Sequence, residues 1–231
     1  MKTEELIHAL ADDEEAKPYI HPMYCAAIWF AASLGYFLLL LLILGRYSDL
    51  FAQLTDWRSM AVVAAALTTS MVAAAAACCS TCPGRPNWER FAPAPFLLAW
   101  GAIFFSDAGR GSGLPQIGVI DILSEWYVLP IALSAAVAPA AAMFFAVRRG
   151  APIAPRLTMS LAGLAVAVLS AASMRLTYCS GLCPSVRFWQ LTSVLTIVGL
   201  FALLGPSHLR WRTTSELLEI RQFQGLKSPK R

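Results

Sequence analysis

The sequence predicts an all-α polytopic membrane protein, a bundle of six transmembrane helices with short cytoplasmic tails. Of its 231 residues, 58% are hydrophobic and only 14% are charged, whereas soluble domains carry about 25% charged residues. The charged residues are concentrated between long apolar runs, each close to the roughly 20 residues that a helix needs to cross a hydrocarbon core about 30 Å thick. Composition therefore excludes an ordinary soluble domain.

Six apolar runs are candidate spans, at Met23–Gly45, Ser59–Ala77, Phe91–Ser106, Trp126–Val147, Leu157–Tyr178 and Phe188–Gly205. The first is interpreted as a retained span, because an acidic leader precedes it and Leu38–Leu44 is too hydrophobic to end in a signal-peptide cleavage motif. The third run is the weakest, because it is short and contains Pro93 and Pro95 near its start. A five-span arrangement with one re-entrant segment is the alternative.

The distribution of Lys and Arg residues predicts which side each helix end faces. Cytoplasmic flanks carry an excess of these residues, whereas acidic residues contribute little to orientation. With the N-terminus in the cytoplasm, the opposite side holds five of the 18 Lys and Arg residues, which leaves 13 on the cytoplasmic side. The five are Arg46, Arg58, Arg110, Arg175 and Arg187. This bias favours an even number of spans in a bacterial inner membrane, with both ends cytoplasmic.

Small residues recur at every fourth position in three of the spans, as expected for helices in close contact. Such stripes let backbones approach, and packing rather than hydrophobicity drives helix association in lipid. The stripes are Ala61, Ala65, Thr69, Ala73 and Ala77; Ala132, Ala136 and Ala140; and Gly163, Ala167 and Ala171. The pattern predicts a compact bundle, although Ala-rich spans also produce this spacing by chance.

The chain divides into a cytoplasmic N-terminal segment at 1–22, the transmembrane domain at 23–205 and a basic cytoplasmic tail at 206–231. In the N-terminal segment, Thr3 is placed to cap a short helix with acidic residues in its first turn. The candidate contact residues of that helix are Glu4, Glu5, Leu6, Ile7 and Leu10, the last three forming a narrow apolar stripe. A stripe of this width cannot form a core alone, so it docks on a partner or lies on the bundle.

Two of the six cysteines, Cys179 and Cys183, lie in the short external loop between the fifth and sixth spans. An oxidising compartment favours a structural disulfide there. A thiol pair that responds to oxidant or metal is the alternative, because reactive thiols need positive charge nearby and Arg175 and Arg187 flank the loop.

The other four cysteines, Cys25, Cys78, Cys79 and Cys82, lie at predicted cytoplasmic helix ends. Cys79 and Cys82 have the spacing of a dithiol centre or of half a zinc site. No second cysteine pair or nearby histidine completes four ligands, and membrane spans use Cys as a small apolar residue. The preferred interpretation is structural, with no metal site.

No pattern of catalytic residues is present. The sequence contains no phosphate loop, nucleophile elbow or paired carboxylates, and His8, His21 and His208 are scattered. Asp121 and Glu125 precede the fourth span and are expected in water. The sequence therefore predicts neither an enzyme nor a cofactor.

Several short motifs carry a resemblance to a known family. They are the opening segment MKTEELIHALAD, the CPGR turn at 82–85, the RRGAPIAPR loop at 148–156, the LAGL run at 161–164 and the Tyr178–Cys179 exit. Together they resemble the NrsF family, six-span membrane proteins that act as negative regulators of an extracytoplasmic-function sigma factor. The likeness covers roughly residues 1–211.

The resemblance implies an anti-sigma factor that holds its sigma partner through the N-terminal segment, without contacting nucleic acid directly. Release would follow an external stress such as oxidant or metal. Family members are similar in using two external cysteines for this, and Cys179 matches the second. The first has no match, because residues 121–127 contain no cysteine. Either Cys183 replaces it, or the thiol switch is altered.

Two other classes of protein are alternatives to a regulator. A membrane thiol oxidoreductase would need a cysteine pair near the external face, and the Cys79–Cys82 pair is predicted on the opposite side. A carrier of thiophilic metal takes its support from the adjacent Cys78 and Cys79.

Overall fold

A computed structural model describes residues 21–44, 55–82, 86–108, 126–148, 154–178 and 184–208. These residues form six α-helices and one short 3₁₀ helix, and within the described ranges there is no strand. The α-helices are α1 (Pro22–Leu44), α2 (Trp57–Cys79), α3 (Pro93–Ala108), α4 (Val128–Arg148), α5 (Pro155–Tyr178) and α6 (Pro184–His208), and the 3₁₀ helix is Asn87–Arg90. The prediction of an all-α protein is confirmed.

Proline is the first residue of four helices, namely α1, α3, α5 and α6. The first helical position suits proline, because its missing N–H would have no partner inside the helix and its φ angle is already helical. Pro93 and Pro95 of the third apolar run therefore stand in the first turn of α3, where they do not interrupt the helix. In α2 the start is set by Asp56, whose carboxylate accepts hydrogen bonds from the backbone N–H groups of Arg58 and Ser59.

Five of the helices, α1, α2, α4, α5 and α6, are long and apolar enough to cross a membrane. Helix α3 has 16 residues and rises about 24 Å, less than the hydrocarbon thickness of about 30 Å. It packs against α2, where the Thr69 hydroxyl donates a 3.1 Å hydrogen bond to the Phe96 carbonyl. The structure therefore supports five candidate spans, and six crossings remain a prediction.

Helix α5 lies at the centre of the bundle and packs against α2, α4 and α6. In its most apolar part 78% of the residues are buried, against 22% in α1. The exposed side of α1 carries large apolar residues, among them Leu38, Leu42 and Ile43. A soluble protein would cover such a surface, whereas lipid is its natural surrounding in a membrane protein.

Glycine allows α5 and α6 to approach closely at two points. A Cβ atom on Gly163 would lie 2.7 Å from the Cβ of Phe201, and one on Gly205 would lie 2.9 Å from the carbonyl oxygen of Pro155. Both distances are shorter than van der Waals contact, so no larger residue fits without separating the helices. Gly163 belongs to one of the predicted small-residue stripes, and the other two members of that stripe, Ala167 and Ala171, are also buried.

Side-chain hydroxyls join α2 to α5. Ser70 donates to the Ala165 carbonyl at 2.7 Å, and the Ser80 hydroxyl lies 2.8 Å from that of Thr158. Serine and threonine are common at such interfaces, because they are small and a hydrogen bond across the interface satisfies them where water is absent. The second contact places the end of α2 beside the start of α5.

The indole of Trp29 in α1 donates a 2.9 Å hydrogen bond to the carbonyl of Pro139 in α4. Pro139 lies inside α4, where a proline removes one hydrogen bond of the helix. The buried Trp29 ring thus holds α1 against the part of α4 whose own hydrogen bonding is interrupted.

The helix ends fall into two groups. Cys25 in the first turn of α1 meets Cys78 in the last turn of α2, and the end of α6 lies beside Pro155 at the start of α5. We call this the cysteine end of the bundle, and the opposite end, which carries Arg175, the arginine end. Helix α1 therefore begins, and helix α6 ends, at the cysteine end of the bundle.

Gly163→Ala should destabilise the bundle, because the added methyl group meets the Phe201 side chain and the α6 backbone. We expect the free energy of unfolding to fall by about 1–3 kcal/mol, the range for overpacking in a close-packed core. Thermal unfolding of the detergent-solubilised chain measures this. Gly199→Ala is the matched control, because a Cβ there meets no atom within 4 Å; equal stability of the two variants would contradict the packing described.

Candidate functional site

Neither group of predicted functional residues lies within the described part of the chain. The candidate docking residues Glu4, Glu5, Leu6, Ile7 and Leu10 precede it, and Cys179 and Cys183 fall between α5 and α6. The helices that flank the cysteine loop are described. Tyr178 ends α5 and Pro184 begins α6, so the loop is attached at the arginine end.

Arg175 is the main functional candidate at the arginine end. Its side chain is only 8% exposed, and its Nε lies 3.4 Å from the Ser59 hydroxyl, to which it donates. From the sequence, Arg175 is expected to be a charge that flanks the external loop. In the structure the guanidinium instead enters the interface between α2 and α5.

A cavity adjoins the guanidinium group. It has a volume of about 10 Å³, enough for about one water molecule, and lies between four helices, α2, α3, α5 and α6. Its walls are mostly apolar, formed by Val62, Val63, Ala66, Trp100, Phe104, Ala171 and Ala172, with Arg175 and Gln190 as the polar members.

Gln190 brings a second buried polar group to this cavity. Its Nε2 donates a 3.3 Å hydrogen bond to the Ala171 carbonyl of α5. Its Oε1 is buried and has no hydrogen-bond partner among the described residues. A buried amide oxygen without a partner costs free energy, which makes Gln190 a candidate for a functional role.

The cavity and the groups beside it combine one cation, one amide and a hydroxyl with aromatic rings. An ionisable side chain within a membrane helix is a functional candidate by default. Arg175 interrupts an otherwise apolar run, so this signal is already present in the sequence.

The cysteine end brings together residues that are distant in the sequence. Cys25 at the start of α1 and Cys78 at the end of α2 are neighbours. Cys82 packs back on its own helix, with its sulfur 3.8 Å from the Cys78 carbonyl. In the described ranges, no three or more His, Cys, Asp or Glu residues are grouped so that they could hold a metal ion.

Ser59→Ala should destabilise the arginine end, because it removes a hydrogen-bond acceptor from a buried guanidinium group. Hydrogen bonds to charged groups contribute about 1.5–3 kcal/mol, and at 3.4 Å we expect a loss near the lower value. Unfolding in detergent measures the change. Ser134→Ala is the control, because this exposed hydroxyl bonds only to the Ile131 carbonyl of its own helix. An identical result for both variants would argue against the Arg175 contact.

The comparisons with known proteins find a match at the level of the family. No curated protein and no solved structure matches the chain. The profile of the NrsF family, described as negative regulator of sigma F, matches residues 10–211. The match covers all six described helices and more than half of the chain. This chain therefore belongs to the NrsF family of negative regulators of a sigma factor.

Proposed function

We propose that this protein is an anti-sigma factor of the bacterial inner membrane. It sequesters an extracytoplasmic-function sigma factor through residues 1–22 and releases it when Cys179 and Cys183 meet oxidant or heavy metal in the periplasm. The observation that carries the proposal is the family match over residues 10–211. The arrangement of the bundle supports it, because the two proposed sites are attached to opposite ends.

The sidedness of the proposal rests on two independent observations. Helix α1 begins and α6 ends at the cysteine end, as the contacts of Cys25 with Cys78 and of Gly205 with Pro155 indicate. The division of Lys and Arg residues, 13 against five, assigns the side that carries both chain ends to the cytoplasm. The loop with Cys179 and Cys183 would then face the periplasm.

We further propose that α3 makes the sixth crossing. Pro155, at the start of α5, lies at the cysteine end, and the chain from Arg148 to Pro155 reaches at most about 25 Å. This distance is less than the roughly 31 Å length of α4, so α4 also ends near the cysteine end. Helix α2 also ends there, so the intervening chain must reach the arginine end before α4 begins. Helix α3 runs in that direction, because Phe96 contacts the middle of α2 and Phe104 lines the arginine-end cavity.

Helix α5 is the proposed route between the two sites. It carries Arg175 close to the cysteine loop and packs against α2 and α4, the two helices that contact α1. Transmission of a signal needs a structural element that can adopt two arrangements. Binding or chemistry at either site must shift the balance between them. The Arg175 guanidinium and the Gln190 amide, two buried polar groups beside a small cavity between the helices, are the side chains that we propose differ between the two arrangements.

Leu6→Asp combined with Leu10→Asp should release the sigma factor. A charge in place of an interface leucine is expected to remove about 2 kcal/mol or more, which is roughly a 30-fold loss of affinity. The measurement is the amount of sigma factor that copurifies with the full chain from solubilised membranes. Leu217→Asp combined with Ile220→Asp in the C-terminal tail is the control and should retain the partner. Undiminished copurification with the N-terminal variant would exclude this docking segment.

Cys179→Ser should abolish the transcriptional response to oxidant and heavy metal without releasing the sigma factor under basal conditions. A reporter gene transcribed by that sigma factor measures both properties. Cys183→Ser should behave in the same way if the two thiols act together, whereas Cys82→Ser at the cysteine end should respond like the natural chain. A normal response from Cys179→Ser would rule out this sensor.

A further inference from the structure

The cavity at the arginine end adjoins a buried polar atom that needs a hydrogen-bond donor. Gln190 in α6 is only 2% exposed, and its Nε2 donates to the Ala171 carbonyl. A carbonyl oxygen can only accept, so this bond fixes the orientation of the amide and leaves the amide oxygen on its other side. That oxygen, Oε1, is buried and has no partner among the described residues.

The second polar residue of the cavity, Arg175, supplies hydrogen-bond donors. Its Nε donates to the Ser59 hydroxyl at 3.4 Å. A guanidinium group carries five N–H donors in a planar fork, four of them on its two terminal nitrogens. The group can therefore serve Ser59 and further acceptors at the same time.

The cavity has the size and the polar partners that a single water molecule requires. Its volume is about 10 Å³, which is room for about one water molecule. A buried water is held by two to four polar groups, and both Arg175 and Gln190 line the cavity. The remaining walls, which include Val63 and Ala66, are apolar, so they do not compete for its hydrogen bonds.

We infer that one water molecule is bound in this cavity, where it donates a hydrogen bond to Gln190 Oε1 and accepts one from the Arg175 guanidinium. The two polar residues discriminate against a charged occupant of similar size. A cation would be repelled by the guanidinium, and an anion would meet the amide oxygen, which can only accept. Water is neutral and both donates and accepts, so it satisfies both groups.

The bound water completes a polar network across three helices. The network runs from Ser59 of α2 to Arg175 of α5, through the water to Gln190 of α6, and returns to α5 at the Ala171 carbonyl. Hydrogen bonds between helices help to hold them together in lipid, and a bridging water is nearly as favourable in enthalpy as a direct bond. The water site does not depend on the proposed function, because it rests only on the packing of α2, α5 and α6.

Water-edited solid-state NMR of the full chain in lipid bilayers, with isotope-labelled valine methyl groups, tests for the bound water. At short mixing times, magnetisation that starts on water reaches a methyl group only where water lies close to it. We expect transfer to Val63, which lines the cavity, and none to Val168, which is buried in α5 and does not line it. Absence of transfer to Val63, or equal transfer to both valines, would overturn the inference.

Gln190→Leu tests whether the amide oxygen holds the water. The substitution keeps a side chain of similar size and removes the acceptor, so transfer to Val63 should fall to the level of Val168. Thr196→Val in the same helix is the matched control and should keep the transfer, because the Thr196 hydroxyl bonds to the Thr192 carbonyl of its own helix. Undiminished transfer in Gln190→Leu would contradict the bridge.

A second variant decides the question if size-exclusion chromatography shows that Gln190→Leu does not fold. Ala66→Val adds two methyl groups to the cavity wall and leaves both polar residues in place. The added methyl groups should displace the water, so transfer to Val63 is expected to be lost. Transfer that persists in a folded Ala66→Val chain would show that the water lies elsewhere.

Discussion

The close approach of α5 to its neighbours is the contact on which the rest of the bundle depends. In lipid the hydrophobic effect does not hold helices together, since the acyl chains are as apolar as the side chains. Dispersion contacts and buried hydrogen bonds must replace it, and both need backbones that come close. Gly163 allows this against α6, and Ser70 and the alanines around it allow it against α2. Larger residues at these positions would leave the outer helices without a surface on which to pack.

The same absence of water determines what a polar side chain inside the bundle can do. Most hydroxyls bond to a carbonyl of their own helix or of a neighbour, which makes them part of the packing. Arg175 and Gln190 differ, because they line a cavity with room for about one water molecule, and the Gln190 Oε1 atom has no partner among the described residues. The bundle of this NrsF family member therefore combines close packing at its centre with a buried polar site at one end.

The two ends of the bundle also differ in chemistry. The arginine end has a buried cation, aromatic rings and a cavity, whereas the cysteine end has thiols and small apolar side chains. Helix α5 reaches both ends and is buried over most of its length, so it connects them physically. The regulator proposed above, which would receive a signal on one side and bind its partner on the other, needs a connection of this kind.

The sequence by itself determined the helical class, the apolar spans and, to within a few residues, the helix bounds. These features are local: a run of apolar residues and a proline at the first helical position act on their own segment, and the family motifs are also read along the chain. Only the tertiary structure decided that Arg175 turns inward to Ser59, 116 residues away, and that Cys25 meets Cys78. Such contacts depend on which helices become neighbours and how each is rotated, and no local pattern contains that information. For the docking segment at 1–22 and for Cys179 and Cys183, the sequence and the family supply the argument, since these residues lie outside the described helices.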